Sequence, residues 1–466
     1  MKLKIIILIS LSFILSLFFL FSTNIKDIIK YQSVKIFEEV KSWTQIYHPE
    51  QKIDDKILIT NDFVAFTNKL VFKNSDEILL HLTGNDELTV NIFSIDNNGL
   101  KIQYLNKRYN VRTPSLTIYS IFDGIITPTY TIKLNSVELG IGWFGIGVTD
   151  SKGVYVEIPV YIDASKLEQN TLFVESTDTL LAYNPARYVY SIPNFYSKNL
   201  GISKHLGKWH KAGVIPNNTP IIYEQIDLEN INEIECDDHL INSDGVHKRN
   251  LKNMGIEFQS VSDNRLDDPE IFENTKTIIF GSHNEYWTTE KAINIMNFIE
   301  NGGRVLFLGG NNAWRKTKRE STRTWFYNKN TDTDFIKLMS EYLGAEFTDT
   351  DYSTHAPFKI VNKEVLFDRF FQNVDNVSIL GKGTSFNHCE SEIEGISGHE
   401  TDKLVEGAQG FTLLAKGTND KGGAEILYKL FPSGGEILNF SSISTWHNKD
   451  PIIFNMIKNF LNKKIN

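Results

Sequence analysis

Cysteine is nearly missing from this chain: its 466 residues include only Cys236 and Cys389. At most one intramolecular disulfide can form, and two distant cysteines say nothing about its geometry. No basic block offsets the formal net charge of -9, so nothing favours nucleic acid or an anionic membrane surface as partner. The densest basic cluster, Arg315, Lys316, Lys318, Arg319 and Arg323, is broken by Glu320. It reads first as a solvated loop or helix face and second as an anion contact. There is no Gly-x-Ser-x-Gly elbow and no phosphate-binding Gly-x-x-x-x-Gly-Lys, which removes serine hydrolases and nucleotide hydrolases of those types. Internal repeats and low-complexity linkers are absent as well.

A long apolar run is present at the start. Lys2 and Lys4 precede Ile5 to Phe21, interrupted only by Ser10, Ser12 and Ser16. At roughly 17 residues it exceeds a signal-peptide core and just reaches the length of a spanning helix. The following Phe21-Ser22-Thr23-Asn24 lacks the small-x-small pattern of a cleavage site, so residues 1–24 are expected to be an uncleaved anchor or a signal peptide. Residues 25–55 follow as a linker, and residues 25–466 are expected outside the cytoplasm, membrane-anchored or secreted. An apolar content of 41% supports globular cores in what remains.

Residues 56–165 read as strands. Leu88–Ile95 and Leu100–Tyr104 flank the hairpin signal Asp96-Asn97-Asn98-Gly99, and further short β-branched or aromatic runs follow at Leu116–Tyr119, Tyr130–Leu134 and Tyr155–Ile162. That spacing predicts a β-sandwich. Alternation lapses at Asp163–Gln169, and residues 170–466 change period. Strands are expected at Ile256–Val261, Thr277–Gly281 and Arg304–Gly309. Between the last two lies an amphipathic helix, Thr289–Glu300, capped by Thr288, with Ile293, Met296, Phe298 and Ile299 inward. Gly435–Phe440 reads as a strand, and Pro451–Leu461 as a closing helix capped by Asp450. The expected fold class is α/β, a doubly wound parallel sheet with ligands beyond the carboxyl ends of its strands, preceded by the sandwich and the N-terminal membrane or signal segment.

One strand end carries chemistry. Thr277-Ile-Ile-Phe-Gly281 runs into Ser282-His283-Asn284-Glu285-Tyr286-Trp287. Residues two apart project to one side of an extended chain, so His283 and Glu285 can converge for general acid–base work or hard-metal ligation. The bland alternative makes Glu285 a first-turn carboxylate favoured by the helix dipole, with His283 bonded locally. Asn387-His-Cys-Glu390 and Glu235-Cys-Asp-Asp-His239 could together form a zinc-like site, against a disulfide or no bond at all. Asn217-Asn-Thr219, Asn376-Val-Ser378 and Asn439-Phe-Ser441 fit the glycosylation triplet.

Gly281-Ser-His-Asn-Glu-Tyr-Trp287, then Asn301-Gly-Gly-Arg-Val-Leu-Phe-Leu-Gly-Gly-Asn311 with Trp314-Arg315, resembles the strand, helix, strand core of the N,N-dimethylformamidase large-subunit family. So do Thr177-Asp-Thr-Leu-Leu-Ala-Tyr-Asn184 with Tyr190, and Gly434-Gly-Glu-Ile-Leu-Asn-Phe-Ser-Ser442 with Trp446. The likeness covers roughly residues 170–465 in order; the combination is specific where any one motif is not. The resemblance implies a fold similar to class I glutamine amidotransferases, with one iron, ferric by its donors, in place of a cysteine nucleophile. It implies Glu285 as carboxylate ligand, Tyr183 as first tyrosinate, Tyr190 or Tyr223 as second, His283 as catalytic histidine and Glu392 as a further glutamate. The activity implied is hydrolysis of the C–N bond of a small amide. The alternative is a non-catalytic cell-envelope binding protein that keeps the fold, and homo-oligomerisation stays open.

Overall fold

The computed structural model describes residues 56–59, 63–67, 69–95, 101–113, 117–120, 124–125, 130–182, 213–216, 241–319, 323–326, 333–348, 354–370, 377–382 and 394–462. The N-terminal apolar segment, both cysteines and the zinc-like words around them lie outside these residues. Among the described residues no helix is long and apolar enough to cross a membrane.

The first part is built on one long strand, Glu77–Ile95. Ile78, Leu80, Leu82, Leu88, Val90 and Ile92 are all buried. They share one parity, so one face of the strand points to this core from Ile78 to Ile92, whereas Phe93, past a register shift, is buried in a separate cluster with Leu70 and Leu180. Its first half pairs with Phe63–Thr67 and Tyr130–Asn135, and its second with Lys101–Arg112 and Gly142–Thr149. The hairpin register places Ile95 opposite Lys101. Tyr155–Asp163 closes the system, antiparallel to Gly142–Thr149 and parallel to Val71–Lys73. Where the sequence predicts a two-sheet sandwich, these strands form one branched seven-stranded sheet, and Lys56–Ile59, Thr117–Ser120 and Gly124–Ile125 form a separate three-stranded one.

The second part corrects the expected fold class more sharply. Its main sheet has nine strands, in the order Gln259–Ser262, Thr171–Glu175, Thr277–Phe280, Arg304–Phe307, Glu436–Asn439, Glu425–Leu430, Thr412–Gly417, Phe358–Ile360, Ile379–Leu380. The first five are parallel and the remaining pairs antiparallel. The sheet is mixed, strand outweighs helix among the described residues, and the doubly wound parallel arrangement does not hold. The reason is connection length. The segments 418–424 and 431–435 are too short for a crossover, which needs a dozen or more residues, so these strands fold back as a meander.

Helices cover both faces. Leu251, Leu366, Phe370, Ile453, Met456 and Phe460 pack on one; Ala292, Ile295, Phe298, Ile299, Phe335 and Met339 pack on the other. The helix Thr289–Glu300 is capped as expected, Thr288 accepting from the Lys291 amide. Its inward face, however, is turned: Ile293 is 46% exposed while Lys291 is fully buried. A salt-bridge network described below holds the lysine inside. The parts are joined by Trp143 Nε1, which donates to Glu175 at 2.9 Å, and by the Ser262 amide, which donates to Asp163 at 3.1 Å.

Candidate functional site

Three parallel strands stop at nearly the same level, and the chain that leaves them folds into one polar cluster. Thr277–Phe280 is buried at every position, then turns at Gly281, where a β-carbon would overlap the Asp244 carboxylate. That carboxylate accepts from the Ser282 amide at 2.7 Å, and burial pushes its pKa up to about 7. The neighbouring strand Arg304–Phe307 ends in Leu308-Gly309-Gly310-Asn311. A β-carbon at Gly309 would overlap the Ser282 carbonyl, and Gly310 pairs with His283. This close approach is what the Gly-Gly-Asn word provides.

His283 is fully buried between two carboxylates: Nε2 lies 3.3 Å from Glu285 Oε2, and Nδ1 lies 3.2 Å from Glu400 Oε2. Burial works to lower its pKa, but the charge of Glu400 and the hydrogen bond donated to Glu285 outweigh it, and the pKa is raised. Glu285, also fully buried, accepts from Arg315 Nε at 3.1 Å through its other oxygen. Its backbone is fixed from both sides, the amide donating to Thr179 Oγ1 at 3.0 Å and the carbonyl accepting from the Arg315 amide at 2.9 Å. Asn311 Nδ2 donates to Glu400 at 3.0 Å, and the Asn311 amide donates to Asp402 at 2.8 Å. Burial carries Asp402 up to about 8, so it is largely protonated near neutrality. Glu285 thus lies between His283 and Arg315, and Glu400 faces the other side of the same imidazole.

The backbone is held in an uncommon shape here. Asn311, His399, Glu400 and Ser441 all have positive φ, between 50° and 56°. Non-glycine residues in this region are held there only when their surroundings over-determine them, and they cluster at functional sites.

His283 and Glu285 are thus brought together as their spacing suggests. Tyr183, Tyr190, Tyr223 and Glu392 lie outside the described residues. Tyr183 follows directly in the chain after the helix Thr177–Ala182, whose Thr179 bonds the Glu285 amide and whose Ala182 packs with Tyr286 and Phe326. The site contains residues not singled out from sequence: Thr179, Glu400, Asp402, and Arg315 as a partner of Glu285. Arg315 corrects the solvated reading of the basic cluster, for it is 3% exposed and lies in the strand Arg315–Arg319. Asn439 is fully buried, so the folded chain does not present that triplet for glycosylation. Among the described residues no group of three or more His, Cys, Asp and Glu side chains stands ready to hold a metal ion.

A search of curated proteins returned no match. Among solved structures, the mmIFT52 N-terminal domain is 10% identical, with a TM-score of 0.27, covering 44% of this chain and 80% of its own. A Paenibacillus sp. cycloisomaltooligosaccharide glucanotransferase complexed with cycloisomaltoheptaose is 10% identical, with a TM-score of 0.16, covering 59% of this chain and 35% of its own. Likenesses this slight carry no argument about fold or activity. A family model described as N,N-dimethylformamidase beta subunit-like, C-terminal, matches residues 125–449. That match begins within the β-rich part and takes in every element of the cluster around His283, and the chain accordingly belongs to this family of dimethylformamidase-like hydrolases.

Proposed function

We propose that this chain hydrolyses the C–N bond of a small amide with the help of one iron ion, Glu285 serving as carboxylate ligand and His283 as the group that moves the proton. The observation that carries the reading is the burial of His283 between Glu285 and Glu400 at the carboxyl edge of the parallel strands, in a chain of this family.

The donors suit a hard cation. Glu285 offers one carboxylate oxygen to His283 Nε2 and the other to Arg315 Nε. The Oδ1 atoms of Asn284 and Asn311 are buried without a hydrogen-bond partner among the described residues. Hard oxygen donors favour oxidised iron, and Tyr183, with Tyr190 or Tyr223, would complete the set with phenolates. Such an ion, when bound, supplies Lewis acidity that polarises an amide carbonyl and lowers the pKa of water. The protein does the rest. Arg315 holds the Glu285 carboxylate, Thr179 holds its backbone amide, and Glu400 holds His283 in one orientation. The two carboxylates raise the imidazole's pKa and so favour its protonated form, the form that can give a proton to the departing amine.

Iron-replete protein should be coloured by a tyrosinate charge-transfer band and carry one iron per chain. Glu285→Ala should lose both iron and colour. His283→Ala should keep the iron but lose about 10²–10⁴ in amide hydrolysis. A parent protein that stays colourless and iron-free in excess ferric ion and hydrolyses no small amide would overturn the reading and leave a non-catalytic binding protein.

A further inference from the structure

A second buried cluster lies behind the first. Lys291 Nζ, fully buried, donates to Asp178 at 2.9 Å, to Asp263 at 3.1 Å and to the Tyr286 carbonyl at 3.3 Å. Arg319 pairs with Asp178 and Asp267. These are all the donors an ammonium has.

Every element that grips Glu285 is anchored in this cluster. Asp178 precedes Thr179, whose hydroxyl accepts from the Glu285 amide. Arg319 is four residues from Arg315 on the same strand, so the two project to the same face. The Tyr286 carbonyl held by Lys291 belongs to the residue after Glu285. One ammonium therefore links the helix Thr177–Ala182, the strand Arg315–Arg319 and the segment carrying Glu285.

We infer that Lys291 is a positioning residue for the metal site, fixing the Glu285 carboxylate through Asp178 and Thr179, through Arg319 and Arg315, and through the Tyr286 carbonyl. This rests on the proposed role of Glu285 as ligand. Supporting residues that orient a ligand typically change metal affinity by roughly 10–100-fold when removed.

The test compares full-length protein with the charge-balanced double variant Lys291→Met/Asp263→Asn, because Lys291→Met alone strands two carboxylates and can fail to fold. Iron affinity is measured by equilibrium dialysis with ferric ion, together with the charge-transfer band and the thermal midpoint of the iron-free protein. The expected result is weaker iron binding by roughly 10–100-fold and a shifted band, with a cooperative unfolding transition retained. A folded double variant with parental affinity and an unshifted band would overturn the role of Lys291 while leaving Glu285 as ligand. A parent that binds no iron would overturn both.

Discussion

The two buried clusters have the same formal make-up and different finish. Around His283 stand Glu285, Glu400 and Asp402 against His283 and Arg315; around Lys291 stand Asp178, Asp263 and Asp267 against Lys291 and Arg319. Each has one acid more than it has bases, and in each one carboxyl is raised chiefly through burial, Asp402 to about 8 and Asp263 to about 6, so that near neutrality only the His283 cluster sheds the excess charge. The Lys291 cluster is closed. Burial would lower Lys291, but Asp178 and Asp263 hold it above its ordinary value, and its donors are used up within the protein. In the His283 cluster Arg315 Nη1 and the Oδ1 atoms of Asn284 and Asn311 have no hydrogen-bond partner among the described residues. Buried polar groups are normally satisfied. A closed cluster reads as scaffold, and one that keeps unspent donors and acceptors reads as a place for a ligand.

That contrast ranks the expected mutational costs. Lys291→Met should be the most destabilising, by about 3–5 kcal/mol, because it leaves buried carboxylates without their cation. Arg315→Met should cost less, about 2–3 kcal/mol, since His283 still bonds Glu285. Urea denaturation of both iron-free variants checks the order. A larger loss for Arg315→Met would mean that the His283 cluster carries as much of the scaffold as the Lys291 cluster.

The sequence revealed these regions unevenly, for physical reasons. Thr277–Phe280 and Arg304–Phe307 are buried throughout, and continuous apolar runs ended by glycine-rich words are what such strands look like. The pairing of His283 with Glu285 followed from their spacing. Glu400 and Asp402 did not, because they reach the site from a remote segment with no periodic pattern, through two consecutive residues at positive φ that no side chain announces. Arg315 was obscured by its neighbours: among several cations in a row, only tertiary contact decides which is buried. The antiparallel half of the sheet was missed because its strands Phe358–Ile360, Ile379–Leu380, Thr412–Gly417 and Glu425–Leu430 were not read from the sequence, and the strands that were read all lie in the parallel half.

A smaller effect separates the clusters by pH. Asp244, at about 7 in the folded protein against an ordinary 3.8, keeps its proton after the unfolded chain has lost it. The folded state then binds more protons across that window, so stability falls as pH rises from about 4 to about 7. Asp244→Asn retains an acceptor for the Ser282 amide and cannot ionise. Its stability should therefore lose that part of the pH dependence and exceed the parent's near pH 7 by on the order of 2–4 kcal/mol. Denaturation at pH 5 and pH 7.5 checks the difference, in which the opposite contribution of Asp178, common to both proteins, cancels. An unchanged slope would mean that Asp244 is ionised in the fold.

The smallest effect is expected at Ile293, on the helix that carries Lys291. If Thr289–Glu300 presented Ile293 to the core, as its apolar pattern suggests, replacing that side chain would open a cavity. In the structure Ile293 is 46% exposed, while Ile295 is fully buried with Ala292 and Ile299 on the inward face. Ile293→Gln should therefore change stability by no more than about 0.5 kcal/mol, as at other surface positions. Ile295→Ala should cost about 2–5 kcal/mol through lost burial and the cavity left behind. The pair is informative because the residues are two apart on one helix, roughly 200° around its axis, so no rotation can bury both on one face. Comparable losses from the two substitutions would return Lys291 to the solvent side and remove the closed cluster that the comparison with the His283 site depends on.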